Sequence, residues 1–177
     1  MGFFKKMFGN KNNGDEYNNK VEARNPFNLQ INDIVEYDLV EYQVLGKITY
    51  KENGYVWYDY HLFDGKDHLW LYAEDDDQVV LGIFSKLTPD HKLYSTFQEG
   101  NPSVINYKEQ KYSLIEEGSA LIQVEGKVGA RNNQQVRYWD YETGNGNQIS
   151  VEKWGNELEI SAGRVVKESL LEFYPAK

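Results

Sequence analysis

The side chains of this chain that are best suited to acid–base chemistry are two aspartates and a histidine, which lie among aromatic residues. Asp59 and His61 lie in the run 57–61, which reads WYDYH, and Asp140 lies between Trp139 and Tyr141. A carboxyl group and an imidazole on one face could exchange protons with a bound molecule. No nucleophile motif and no glycine-rich phosphate loop accompanies them in the sequence. We therefore predict no catalytic residue and favour a structural role for the aspartates, with a paired carboxylate site as the alternative.

The densest carboxylate cluster is the run Glu74-Asp75-Asp76-Asp77. A calcium site would need oxygen ligands converging from several directions, and no loop of EF-hand spacing is present. The chain has no cysteine, which removes thiolate nucleophiles, disulfides and cysteine-based metal sites. The cluster is predicted to be a solvated turn, and no metal or cofactor is predicted.

A repeated β-rich pattern indicates which elements position these residues. Four blocks recur in the same order: residues 35–37 with 42–45 reappear as 105–107 with 112–115, 58–60 as 139–141, 69–71 as 149–151, and 79–81 as 158–160. Repeats of this kind set the architecture of a chain. The content of 14 tyrosines also favours strands over helices.

The predicted fold class is all-β, with two tandem, related antiparallel meander units packed as a sandwich or a partly open barrel. The folded domain is expected over residues 26–177, after a flexible N-terminal segment over residues 1–25. The two units are expected at about residues 30–88 and 104–175, joined by a connection over 89–103 that includes a helical turn. Separate strands are expected near 111–116 and 120–126, and a final strand within 165–174.

The second hairpin of the first unit has one apolar face and one aromatic-polar face. With a loop at Gly65-Lys66, Leu62 lies opposite Leu69 and Tyr60 lies opposite Leu71. The other side of the hairpin carries the residues that we call the aromatic face: Trp57, Asp59, His61, Trp70 and Tyr72. In the second unit the apolar set is retained, whereas His61, Trp70 and Tyr72 align with Glu142, Ser150 and Glu152. This difference marks the aromatic face as a candidate binding surface, unless the second unit covers it.

Charge and the N-terminus bear on the partners of the protein. The net charge is −9 although residues 1–24 are basic, so the folded part is acidic and nucleic acid is not expected as a partner. On a helix, the apolar residues of the segment 3–8 would share one face with its two lysines opposite, which resembles a short interfacial anchor. The predicted membrane-contact residues are Phe3, Phe4, Lys5, Lys6, Met7 and Phe8.

Several motifs of the first unit resemble a known bacterial family of unknown function, numbered 4178. They are NDIVEY at 32–37, YQVLGKITY at 42–50, WYDYHL at 57–62 and Trp70-Leu71. Asp59 stands where the family usually has glutamate. The resemblance implies a bacterial cytoplasmic β protein and a membrane-adjacent, stress-related setting. It supplies no catalytic residue.

The first functional hypothesis is a non-enzymatic binding or adaptor domain that holds a protein partner on its aromatic face. The N-terminal segment would bring this cytoplasmic protein to the inner face of the membrane. The alternative is a small-molecule-binding protein or enzyme with a pocket between the two units, where Asp59, Asp140 and His61 supply the polar groups. A structural subunit that oligomerises through strand edges is a third hypothesis.

Overall fold

Alternation of apolar and polar side chains produces an almost entirely β structure. The computed structural model describes residues 22–176. The strands are β1 (Ile34–Tyr37), β2 (Val40–Glu52), β3 (Tyr55–Phe63), β4 (His68–Asp75), β5 (Val79–Lys86), β6 (Val104–Tyr107), β7 (Gln110–Gly126), β8 (Gln135–Glu142), β9 (Asn147–Trp154), β10 (Glu157–Val166) and β11 (Leu171–Tyr174). A short helix, α1 (Leu93–Gln98), and a 3₁₀ turn, Glu168–Leu170, complete the regular structure. Neither helical segment in this part of the chain has the length and hydropathy needed to cross a membrane. The predicted membrane-contact residues 3–8 lie outside the described residues.

Eight of the strands close into one antiparallel barrel. Each strand pairs with its neighbour in the order β2-β3-β4-β5-β10-β9-β8-β7, and β7 then pairs with β2 to complete the ring. The closing seam joins residues 46–51 of β2 to residues 121–126 of β7. Closure leaves the barrel wall with no free edge, which favours one discrete structure over edge-to-edge association.

The strands β2 and β7 are long because each pairs with a flanking strand as well as with its neighbours in the barrel. The first part of β2 pairs with β1, and the first part of β7 pairs with β6. A β-bulge then interrupts each strand, between Val44 and Gly46 in β2 and between Leu114 and Glu116 in β7. Bulges bend and twist a strand, so each bulge separates the part that leaves the barrel from the part that forms its wall.

Three apolar clusters hold the structure together, two outside the barrel wall and one inside. The first lies between β1, β11 and the outer surface of β3 to β5, and contains Leu29, Tyr60, Leu62 and Leu71. The second lies beneath α1 and β6 on the outer surface of β8 to β10. The third contains Tyr50, Trp70, Ile122 and Tyr138 and lies within the barrel. Both the inner and the outer surface of the wall are therefore partly apolar.

The structure confirms the all-β class and corrects the packing. The expected sandwich or partly open barrel is instead a closed barrel, because β2 and β7 pair across the whole seam. The two strands expected near 111–116 and 120–126 are one strand, β7, bent at its bulge. The register predicted for β3 and β4 is confirmed, with Leu62 opposite Leu69 and His61 opposite Trp70.

The hydrogen-bonded register also corrects the alignment of the two aspartates. Gly46 follows the bulge of β2 and pairs with His61, whereas Glu116 follows the bulge of β7 and pairs with Asp140. His61 in turn pairs with Trp70, and Asp140 pairs with Ser150. By position in the sheet, Asp140 thus corresponds to His61 and not to Asp59. The shift is two residues, so both aspartates still point to the same side of the wall.

A substitution at Gly46 tests whether β2 and the chain after β7 approach closely at the seam of the barrel. A Cβ atom at this position would lie 2.5 Å from Val128 Cγ1 and 2.7 Å from the Lys127 carbonyl oxygen. We expect Gly46→Ala to lower the free energy of unfolding by about 1–3 kcal/mol, because the backbone after β7 must move away from the seam. Urea denaturation followed by tryptophan fluorescence measures the change.

Gly144→Ala is the matched control, since a Cβ atom at Gly144 meets nothing within 4 Å. Its free energy of unfolding should stay within about 0.5 kcal/mol of wild type. Equal stability of the Gly46 and Gly144 variants would contradict the close approach at the seam.

Candidate functional site

The inside of the barrel contains a cavity of about 430 Å³. All eight strands of the wall contribute side chains to its lining, and residues 128–130 and Gln134 from the β7–β8 loop close part of it. The volume falls within the range of small-molecule sites. Eight-stranded barrels have an interior just wide enough to be filled by side chains or to hold one small ligand. We refer to this cavity as the lumen.

Strand alternation places most of the aromatic face inside the lumen. Trp57, Asp59, Trp70 and Tyr72 all line it, while the alternate residues Tyr60 and Leu71 are buried in the outer cluster. The sequence left open whether the second unit covers this face, and β7 to β10 do so by completing the barrel. Trp70 is only 8% exposed. These residues are thus accessible only to a molecule that enters the lumen.

His61 is the member of the aromatic face that does not line the cavity. Its Nδ1 lies 2.7 Å from the Lys127 carbonyl oxygen, and its Nε2 lies 2.9 Å from Nδ1 of His68. A carbonyl can only accept, so Nδ1 carries the proton and Nε2 accepts from His68. Burial lowers the pKa of His61, which favours this neutral ring. The ring also stacks on Trp70 at 4.8 Å, so His61 is a packing residue at the end of the barrel.

The two aspartates that the sequence singled out do share the lumen, where each has polar neighbours. Asp59 and Asp140 both line the cavity and are enclosed by the wall with a partly accessible surface toward it. The Tyr50 phenol lies within hydrogen-bond distance of Asp59, and the Ser150 side chain has a lowering effect on the pKa of Asp140. The convergence required by the pocket hypothesis is therefore present for the carboxyl groups, but not for His61.

A phenol with two carboxyl neighbours fixes the proton count at the centre of the lumen. Tyr50 Oη lies 3.0 Å from Asp59 Oδ2 and 2.8 Å from Glu152 Oε1. A phenol has one proton and can donate only one of these bonds. The other bond requires a protonated carboxyl group that donates to the phenol oxygen. The geometry thus requires at least one carboxylic acid beside Tyr50, which is itself only 1% exposed.

The pKa values of these groups agree with a shared proton. Burial raises the pKa of Asp59 to about 7, against the lowering effects of the Tyr50 hydrogen bond and the Lys86 charge. Burial and the Asp59 charge raise the pKa of Glu152 to about 8. Burial, followed by the charges of nearby carboxylates, raises the pKa of Asp140 to about 7. Three acidic groups in the lumen therefore titrate near neutral pH instead of near pH 4.

A second group of carboxyl residues surrounds the end of the lumen where β3 begins and β4 ends. Tyr138 Oη lies 2.5 Å from Glu52 Oε2 and 3.4 Å from Glu116 Oε1, and Tyr72 Oη donates to Glu74 Oε2 at 2.7 Å. These residues line a recess that is continuous with the lumen and shares Asp140 with it. We call this end the acidic mouth. Burial and the Glu74 charge raise the pKa of Glu116.

The opposite end of the lumen has the one basic residue that lines the cavity in the described part of the chain. Lys86 ends β5, and its Nζ lies 2.6 Å from Glu159 Oε2 and 4.6 Å from the centre of the Trp70 ring. The ammonium group of Lys86 is paired with Glu159 and lies over the Trp70 ring, so it does not neutralise the acidic mouth. The lumen consequently has a strong excess of acidic groups.

The lumen carboxyl groups do not form a metal site. Within residues 22–176, no three histidine, aspartate or glutamate side chains converge closely enough to hold a metal ion. The carboxyl groups are instead separated along the lumen and bonded to tyrosines. This spacing suits an extended organic molecule better than a single ion.

The sequence reasoning missed the glutamates and tyrosines that complete the lumen. The sequence predicts Glu74 in a solvated turn, but this residue is the penultimate one of β4 and lines the lumen. The following residues, Asp75 to Asp77, are exposed as expected. The alternation of apolar and polar residues places Glu116 and Glu152 on the polar side of their strands. Alternation alone does not show that this side faces the interior of a barrel.

A family comparison identifies the chain without giving it an activity. A model of the family described as "Domain of unknown function (DUF4178)" matches residues 30–168. The chain belongs to this family. The resemblance found in the first-unit motifs is thereby confirmed, and the match extends through the second half of the barrel.

The curated relatives of this DUF4178 protein include uncharacterized proteins of Mycobacterium bovis and Mycobacterium tuberculosis. Each is 30% identical over 151 residues, which cover 81% of this chain and 70% of the relative. No solved structure matches the chain significantly. The relatives therefore support a bacterial family, and the function must be argued from the lumen.

The raised pKa values make stability depend on pH in a predictable direction. A carboxyl group with a folded-state pKa above its unfolded value stabilises the fold below the unfolded pKa, and this contribution is lost as pH rises through the folded pKa. For Asp59 the window runs from about pH 4 to about pH 7. We expect Asp59→Asn, which keeps an acceptor for Tyr50 but cannot ionise, to be more stable than wild type at pH 8.5 by about 1–3 kcal/mol. This difference should shrink toward pH 5.

Urea denaturation at a series of pH values measures this effect. Glu117→Gln removes an exposed carboxylate from β7 and is the matched control. Its stability should follow wild type across the whole pH range. A pH-independent difference between Asp59→Asn and wild type would show that the Asp59 carboxyl group titrates normally.

Proposed function

We propose that this protein is a non-enzymatic binding protein that encloses a small organic molecule in the lumen of its barrel. The observation that carries the proposal is the cavity of about 430 Å³, which is lined by the aromatic rings of Trp57, Trp70 and Tyr72 and by carboxyl groups. Aromatic walls with a few fixed polar groups are typical of small-molecule sites. The alternative expected from the sequence, a pocket between the two halves of the chain, is thus the better supported one.

The location of the aromatic residues bears on the adaptor hypothesis. A folded protein partner needs an exposed surface, and Trp57, Trp70 and Tyr72 face the lumen. A protein partner at another surface stays a prediction, as do the membrane contact of residues 3–8, the position at the inner face of the membrane and the stress-related setting.

The origin of the barrel is part of the proposal. We infer that the strand runs β1–β5 and β6–β10 are related units. Their bulges lie at the same offset of 70 residues as the sequence blocks in β2 and β7. Each run also buries its retained apolar residues outside the wall, in its own cluster.

A second candidate function is acid–base chemistry on a molecule in the lumen. It is favoured by Asp59 and Asp140, which share the lumen and have pKa values of about 7, a range suited to proton transfer at neutral pH. Mass spectrometry of a bound compound after incubation distinguishes the two: a binding protein returns it unchanged, and an enzyme converts it.

Lumen binding can be tested with N-phenyl-1-naphthylamine, a neutral dye that fluoresces in apolar surroundings. We expect saturable binding by wild type and at least about tenfold weaker binding by Ser161→Phe, because Ser161 lines the lumen and a phenyl ring would fill part of it. Fluorescence titration gives both dissociation constants.

Ser85→Phe is the matched control, since Ser85 is exposed on the adjacent strand and pairs with the neighbour of Ser161. Its dye affinity should equal that of wild type. Equal affinity of all three proteins would place the dye outside the lumen, and no binding by folded wild type would overturn the proposed function.

A further inference from the structure

Three aromatic rings stand where the lumen meets the acidic mouth. Trp57, Tyr72 and Tyr138 line both the lumen and the recess of the mouth. The rings of Trp57 and Tyr138 are 5.6 Å apart and nearly perpendicular, at 74°. Tyr50 stacks on Trp57 at 5.2 Å with the planes only 5° apart, which fixes the orientation of the indole. The rings of Trp57 and Tyr138 therefore meet at a steep angle and do not stack face to face.

Three carboxyl groups accompany these rings. Asp140, Glu74 and Glu116 line the same region as the three aromatic side chains. Tyr72 donates to Glu74, so one phenol among these rings holds a carboxylate of the group. Tyr138 donates its proton to Glu52 at 2.5 Å, and Glu116 lies 3.4 Å from the same phenol oxygen. We call these six residues the cage. Its side chains are positioned by strand pairing and by one another, as a preorganised site requires.

No basic side chain of the described residues neutralises the cage. Lys86 is the one that lines the lumen, and it is paired with Glu159 at the far end. Carboxylates held in a partly enclosed space without a cation are unfavourable, because burial weakens their hydration. A ligand that brings positive charge would relieve this cost, whereas an anion would increase it.

We propose that the cage binds the ammonium group of a small organic cation whose remainder occupies the lumen. The inference rests on the proposed function, because it assigns a ligand class to the same cavity. Aromatic faces attract ammonium groups, and quaternary ammonium is recognised by walls of this kind. A metal ion fits less well, since no three ligating side chains in the described chain converge on one point. A quaternary ammonium group is larger than a metal ion, and its positive charge can be attracted by carboxylates that are spread around it.

A pair of isosteric probes tests the charge preference. Choline carries a quaternary ammonium, and 3,3-dimethylbutan-1-ol has the same shape with carbon in place of nitrogen. At pH 8.5, which is above the pKa of about 7 for Asp140, we expect choline to bind wild type at least about tenfold more tightly. NMR titration of the tryptophan indole N–H signals measures both affinities and reports whether the indoles respond.

Two variants of the cage and one control locate the effect. Asp140→Asn and Glu116→Gln each keep the size of the side chain, and each should reduce the preference for choline by at least about threefold. Glu117→Gln changes the net charge equally but removes a carboxylate that lines neither the lumen nor the recess, so it should keep the wild-type preference. The Glu116 variant also covers the case in which Asp140→Asn does not fold.

Each outcome has a distinct meaning. Equal affinity for the two probes, or an equal loss of preference in all three variants, overturns the cation inference. If the naphthylamine dye still binds in the lumen, the proposed binding function stands without this ligand class. If folded wild type binds neither probe nor the dye, both the inference and the proposed function are wrong.

Discussion

The structure depends on the pairing of β2 with β7. These strands are far apart in sequence, and their seam over residues 46–51 and 121–126 converts two strand runs into one closed barrel. Without it, the side of the wall that carries Trp57, Asp59 and Glu152 would face water. With it, the same side chains surround an interior, where burial raises acidic pKa values and strengthens every charge interaction. The chemistry of the lumen is therefore a consequence of closure.

The lumen combines groups that a purely structural interior would avoid. Side chains fill the interior of small barrels, and here they include carboxyl groups interleaved with hydrogen-bonded tyrosines, as around Tyr50. Each buried acid lowers stability once it ionises, so the arrangement opposes stability at neutral pH. Proteins place such locally unfavourable groups mainly at functional sites. The outer clusters, which contain residues such as Leu62 and Ile149, supply the compensating apolar burial.

Local features of the fold could be predicted from the sequence, and nonlocal ones could not. The register of β3 and β4 follows from alternation within one hairpin, and it is correct from Trp57 to Phe63. Closure was not predicted because alternation identifies two sides of a strand without saying which one is covered. In this barrel both are, since Tyr60 is buried outside the wall and Trp70 inside it. His61 lies on the predicted face beside Trp70, but it does not line the cavity, because its partner is a carbonyl of the distant β7–β8 loop, at Lys127.

The two halves of the chain differ on the side of the wall where a ligand would be held. Residues that the sequence pattern aligns as alike, such as Leu71 and Val151, lie in the outer clusters and maintain the fold. Those that differ, such as Tyr72 against Glu152, face the lumen, so one half supplies mainly aromatic rings and the other mainly acidic groups. A symmetric interior would place like groups opposite each other. The difference across the barrel instead sets rings against carboxyl groups, and the proposed preference for an organic cation rests on this arrangement.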